Sequence, residues 1–138
     1  MRHAINYRKH ASSEHLVTMT DIVRYAGAAG DFTPIHHDPE IARKSGYEQV
    51  FAMGMLVAGY LGSLVEQEFG SDDIVRISFR FLDKTWVNEL VICRFFVVQE
   101  KVDQVFLELR LLATQTGREV VSGSATIRIN HEDEECSV

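Results

Sequence analysis

Between Ala52 and Glu68 the chain reads AMGMLVAGYLGSLVEQE, and Met53, Met55, Leu56, Val57, Tyr60, Leu61, Leu64 and Val65 leave almost no polar face. A helix that is apolar around its circumference has to be enclosed by protein. It is too short for a bilayer, because the uncharged run Val50 to Val65 is 16 residues and a membrane span needs roughly 20. Gly54, Gly59 and Gly62 lie within it, and each glycine costs a helix interior about 1 kcal/mol relative to alanine. The pattern predicts close approach to this helix by a sheet or by a bound molecule.

The second half supplies a sheet. Val75, Ile77, Phe79 and Phe81 alternate with Arg76, Ser78 and Arg80. Val105, Leu107, Leu109 and Leu111 alternate with Gln104, Glu108 and Arg110, and Val121, Ala125, Ile127 and Ile129 with Ser122, Ser124, Thr126 and Arg128. This period of two predicts half-buried strands. Leu90 to Val98 is apolar on both faces, which predicts the most buried strand. Turn-forming residues fall at 83–89, 100–104 and 114–118. Helices followed by a meander of four antiparallel strands is an α+β order, and a curved sheet wrapped around the apolar helix satisfies both patterns. A further strand near Val17 would complete it.

The length of 138 residues fits one domain, taken as 1–138 with 1–15 and 131–138 as peripheral segments. Two cysteines, Cys93 and Cys136, make no disulfide framework and no Cys-x-x-Cys pair, so reducing, cytoplasmic surroundings are expected. The first dozen residues carry Arg2, Arg8 and Lys9 without the apolar segment of a secretory signal. Of 20 acidic residues, four (Glu132 to Glu135) sit in the last eight positions, leaving 16 against 14 Lys and Arg in the body. That near-neutral body argues against nucleic acid as a partner, and no membrane association is expected.

The chemistry-bearing residues cluster just ahead of the apolar helix. Thr20 is placed to cap a short helix through Asp21, Ile22, Val23 and Tyr25; Asp38-Pro39-Glu40 opens a second, stopped by Gly46. Between them, Gly30-Asp31-Phe32-Thr33-Pro34-Ile35-His36-His37-Asp38 combines a carboxylate, an imidazole and a rigid proline. A bent loop lets Asp31 and His36 face one water and divide its proton transfers between them. The same residues also fit a turn capped by Asp31 and a structural histidine.

From Thr20 to Leu61 the sequence resembles the MaoC-like, or (R)-specific enoyl-CoA hydratase, family of the hot-dog fold. That family's motif runs Gly-Asp-x-Asn-Pro-[Ile/Leu]-His, then an Asp and an Ala in a short helix, then His-Gly-Met at the central helix. The matches are Gly30, Asp31, Pro34, Ile35, His36, Asp38, Ala42, Gly54 and Met55. Weaker similarity continues through 79–84 and 117–125. The resemblance implies that Asp31 and His36 are the dyad that activates water for syn addition to a trans-2-enoyl thioester, and that the Gly54 N–H binds the thioester oxygen. A helix N-terminus is suited to the charge that develops there. It also implies no metal or redox cofactor, coenzyme A or phosphopantetheine only as part of the acyl thioester substrate, and a homodimer or a heterodimer with a related subunit.

Three positions depart from the motif. Thr33 replaces its asparagine and is expected in a supporting, substrate-binding role beside Gly54, Met53 replaces the histidine before Gly54, and Gly62 replaces a serine found in some members. Met53 and Gly62 favour a noncatalytic partner subunit of a heteromeric dehydratase as an alternative, and a hot-dog thioesterase is another. His37 is expected at the surface rather than on a metal. Arg76, Arg80 and Lys84 suit either carrier phosphates or a solvated strand face, and Gly59 and Gly62 either an acyl tunnel or tight packing against the sheet.

Overall fold

The computed structural model describes residues 6–129. Strand β1 (His10–Leu16) is followed by helices α1 (Met19–Ala29), α2 (Pro39–Lys44) and α3 (Gly54–Phe69), and then by β2 (Ile74–Phe81), β3 (Leu90–Glu100), β4 (Gln104–Ala113) and β5 (Glu119–Arg128). Single 3-10 turns at Pro34–His36 and Ser71–Asp73 precede α2 and β2. The strands form one antiparallel sheet in the order β1-β3-β4-β5-β2, and α3 contacts all five. This is the hot-dog arrangement.

The cap of α1 is Thr18 rather than Thr20, because a reciprocal pair forms there. Thr18 Oγ1 accepts from the Asp21 N–H at 3.2 Å while the Asp21 carboxylate accepts from the Thr18 N–H at 3.0 Å. At its other end Gly30 takes φ 69°, the left-handed conformation that turns the chain out of the helix. Asp38 caps α2 by accepting from the Glu40 and Ile41 N–H groups, with Pro39 in the first helical position.

Helix α3 begins at Gly54, two residues later than expected: Phe51 and Ala52 are paired in extended form with Trp86 and Thr85, and Met53 is still extended at ψ 139°. Val57, Leu61, Leu64, Val65 and Phe69 are buried in a core shared with Val91, Phe95, Leu107, Leu109 and Ile127 of the sheet. Full burial of each large aliphatic side chain contributes about 1.5–3 kcal/mol. The opposite face is open in this chain: Met55 is 55% exposed, and a Cβ added at Gly59 or Gly62 would meet nothing within 4 Å. Enclosure therefore applies to one face of α3, and packing against the sheet is not what Gly59 and Gly62 serve.

Only β3, β4 and β5 form a meander; β2 pairs with β5 at one edge and β1 with β3 at the other. The link 82–89 does not fold β2 back on β3, because its backbone is tied elsewhere. Asn88 N–H donates to Val17 O at 2.7 Å, Val17 N–H to Glu89 O at 2.9 Å, and Val87 N–H to Val50 O at 3.2 Å. The most buried strand is β4 rather than β3. Val105, Leu107, Leu109, Leu111 and Ala113 are all enclosed in this middle strand, whereas Phe96 and Val98 of β3 lie exposed.

Residues 10–15, expected at the periphery, belong to β1, slightly ahead of the anticipated strand; 131–138 lie outside the described residues. Among the described residues no helix is long and apolar enough to cross a membrane.

Candidate active site

The loop between α1 and α2 holds both members of the expected dyad. Its geometry starts from Gly30 and Pro34, which turn the chain out of α1 and into the 3-10 turn carrying His36. Within it, Asp31 Oδ1 accepts two hydrogen bonds from one residue, from Thr33 Oγ1 at 2.7 Å and from the Thr33 N–H at 3.2 Å. These bonds hold the Asp31 carboxyl below the usual carboxylate range, with a smaller contribution from the nearby His36. Thr33 thus supplies both contacts, side chain and backbone.

His36 is 9% exposed. Its Nδ1 lies 2.7 Å from the Phe51 carbonyl oxygen, and a carbonyl can only accept. Nδ1 therefore carries the proton, and in the neutral ring Nε2 keeps its lone pair available. The Phe51 ring meets the imidazole edge to face, with centroids 5.1 Å apart, and itself packs edge to face against Tyr47 and Trp86. No hydrogen bond between the Asp31 and His36 side chains is present among the described residues.

Phe51 joins this loop to a cleft of about 550 Å³, lined by Phe51, Ala52, Gly54, Met55, Val57 and Phe81 through Thr85. Its walls are mainly apolar, and its polar side chains come from Asp83, Lys84 and Thr85. Gly54 is the first residue of α3, where backbone N–H groups have no intrahelical acceptor. The close neighbour of Gly54 is the Phe81 ring, whose Cε1 would stand 2.9 Å from an added Cβ. Asp31, Thr33 and His36 are not among the residues that line this cleft, and Phe51 is the residue that both groups share, through its carbonyl to His36 and its place in the cleft wall.

Met53 is 3% exposed and precedes α3 without a side-chain capping bond. Buried among apolar residues, it leaves the Phe51 carbonyl as the group that orients His36. His37 is exposed, and among the described residues no three His, Cys, Asp or Glu side chains gather as a metal site. Lys84 reaches into the cleft wall, its Nζ 5.3 Å from the Tyr47 ring centroid. Arg80 instead lines a groove with Ser78, Ser122 and Ser124 on the far side of the strands, and the two cations do not share one depression.

Three contributors escape a reading of the sequence. Phe51 acts through a carbonyl, which no side-chain motif reveals. Thr85 sits in the link 83–89, which reads only as a turn. Arg118 reaches back from the start of β5 to bond the Lys84 carbonyl at 2.9 Å and Glu89 at 3.0 Å, with Asp83 Oδ2 2.7 Å from its Nε, and so braces the cleft wall.

Comparison with known proteins agrees with this fold. An (R)-specific enoyl-CoA hydratase of Rhodospirillum rubrum is 23% identical over 121 residues, covering 86% of this chain and 84% of that protein. A mitochondrial 3-hydroxyacyl-[acyl-carrier-protein] dehydratase of Arabidopsis thaliana is 32% identical over 72 residues, and the matched segment spans 43% of that relative's length. The solved structure of the (R)-hydratase from A. caviae involved in PHA biosynthesis superposes with a TM-score of 0.82 at 23% identity, over 92% of this chain and 98% of that one. The model of the MaoC like domain matches residues 3–120, nearly the whole described span from β1 into β5, and the chain belongs to the MaoC-like domain family.

Proposed function

We propose that the chain is a hydro-lyase that reversibly hydrates a 2-enoyl thioester to an (R)-3-hydroxyacyl thioester. The observation that carries this reading is one loop that holds Asp31 on Thr33 and the nearly buried His36 on the Phe51 carbonyl, with Phe51 also lining the apolar cleft that the N-terminus of α3 borders. In the forward direction the water oxygen bonds to C3 of the enoyl group. One proton of that water is taken up by the dyad, and a proton is delivered by the dyad to C2. The electron pair of the double bond passes toward the carbonyl, so the thioester oxygen gains negative charge, which the Gly54 N–H and the α3 dipole stabilise. Water and two proton-carrying groups balance the reaction, and no metal or redox cofactor enters it.

The substrate is an acyl thioester of coenzyme A or of a phosphopantetheine carrier. Edge strand β2 exposes Val75 and Phe81, 54% and 48% accessible, and a second hot-dog subunit, identical or related, is the partner that suits such an edge. Two cysteines, with Cys93 a buried free thiol pushed up to about 12 by its apolar surroundings, accord with the reducing cytoplasm.

The test is loss of the conjugated double-bond absorbance of a graded series of enoyl-CoAs by the isolated chain, with Asp31→Asn and His36→Gln compared with the parent. Loss of at least about a hundredfold in each folded variant is expected. Undiminished turnover in either would falsify the dyad assignment. An inactive parent chain that gains activity on mixing with a related subunit would mark it as the noncatalytic partner, and thiol release from a saturated acyl-CoA would mark a thioesterase.

A further inference from the structure

Thr85 is 2% exposed, and its Oγ1 is a buried side-chain atom without a hydrogen-bond partner among the described residues. The other such atom, Arg118 Nε, has the Asp83 carboxylate 2.7 Å away as an ion-pair partner; no comparable partner is present for the Thr85 hydroxyl. Leaving a hydroxyl buried and unpaired is costly, and valine has nearly the same shape without that cost. The carbonyl of Thr85 is engaged, accepting from the Ala52 N–H at 2.8 Å, next to the Phe51–Trp86 bridge. That pairing fixes Thr85 opposite the approach to α3, two residues before Gly54, and both residues line the same cleft.

We propose that the Thr85 hydroxyl is a substrate-binding donor at the thioester end of the cleft, acting with the Gly54 N–H on the same carbonyl oxygen. The inference rests on the hydratase reading above and adds a second donor to it. A hydroxyl can turn its proton toward an acceptor that arrives with the substrate, and the bond strengthens as that oxygen gains charge. The energetic signature is distinctive: an unpaired hydroxyl lowers the stability of the free protein and contributes only when substrate is bound.

The experiment compares Thr85→Val and Thr85→Ser with the parent chain in three measurements: thermal unfolding, steady-state hydration of 2-butenoyl-CoA, and calorimetric binding of butyryl-CoA, which has no double bond to hydrate. The valine variant is expected to melt a few degrees higher, by about 2 to 5 °C, and to lose about 10- to 100-fold in kcat/KM, mostly in kcat. The serine variant keeps the donor and is expected to stay within about threefold of the parent in kcat.

A valine variant whose kcat/KM and butyryl-CoA affinity both stay within twofold of the parent overturns the proposal, as does a serine variant as impaired as the valine one. If the parent binds butyryl-CoA but hydrates nothing, the hydratase reading fails by itself, and weaker binding by the valine variant then decides for the donor and unchanged binding against it. A parent that neither hydrates 2-butenoyl-CoA nor binds butyryl-CoA overturns both.

Discussion

Replacing Gly54 by alanine separates the catalytic use of this residue from its structural one. The new Cβ would lie 2.9, 3.0 and 3.3 Å from three atoms of the Phe81 ring, and no other heavy atom within 4 Å is as near. Contacts under 3.0 Å force a shift, but the ring is the far end of a side chain that is 48% exposed and it can swing outward. Alanine also favours helix over glycine by up to about 1 kcal/mol. The two effects oppose each other, so the folding free energy of Gly54→Ala should stay within about 1 kcal/mol of the parent. Catalysis has no such compensation. The new methyl and the Phe81 ring it displaces crowd the cleft that both residues line, so a thioester oxygen is held off the first N–H of α3, and loss of one oxyanion donor costs about 100- to 1000-fold in kcat. Urea denaturation followed by far-UV circular dichroism reads the first quantity, and the initial rate of enoyl-CoA hydration reads the second. A Gly54→Ala protein with parental stability and kcat within fivefold would show that the N-terminus of α3 does not stabilise the reacting carbonyl.

Two other substitutions test the frame around that site. Thr33→Val removes the 2.7 Å bond to Asp31 and lets the Asp31 carboxyl rise toward its ordinary value. A carboxylate held low in the folded state remains ionised as the pH falls, so the acid limb of kcat/KM should move to higher pH in the variant; an unmoved limb would detach that ionisation from Asp31. Gly123→Ala puts a Cβ 2.3 Å from the Ser78 carbonyl oxygen on the neighbouring strand. Because a backbone atom cannot step aside as a side chain can, a loss of about 1–3 kcal/mol is expected from overpacking, read as a lower urea midpoint at constant slope.

Much of the fold was legible because it rests on patterns of burial. The period of two in β2, β4 and β5 and the apolar run of α3 specify a sheet packed on a helix whatever the order of the strands. The position of β2 was not legible, since it depends on backbone bonds from the link 82–89 to Val17 and Val50, and those leave no trace in side-chain type. Thr20 and Thr18 are equally good caps by composition; Asp21, three residues after Thr18, decides between them. For the site, Asp31 and His36 could be named from their place in one bent loop, and Thr33 and Gly54 from the resemblance to the family motif, whereas the roles of Phe51 and Thr85 depend on which segments meet before α3.

That division follows from how the site is held. The proton on His36 is fixed by the Phe51 carbonyl, half of the Asp31 clamp is the Thr33 N–H, and the proposed oxyanion donor is the Gly54 N–H. Main-chain groups survive side-chain replacement as long as the segments keep their paths, which are set by Gly30 at positive φ, by Pro34 and by the pairing of Ala52 with Thr85. Met53 can therefore stand where the family motif has histidine without disturbing the orientation of His36. The same logic accounts for a backbone that superposes on the A. caviae hydratase at a TM-score of 0.82 while sharing 23% of its residues. With the frame made of backbone, the proposed function leaves substrate preference to the side chains around the cleft, Phe81, Lys84 and Thr85 among them.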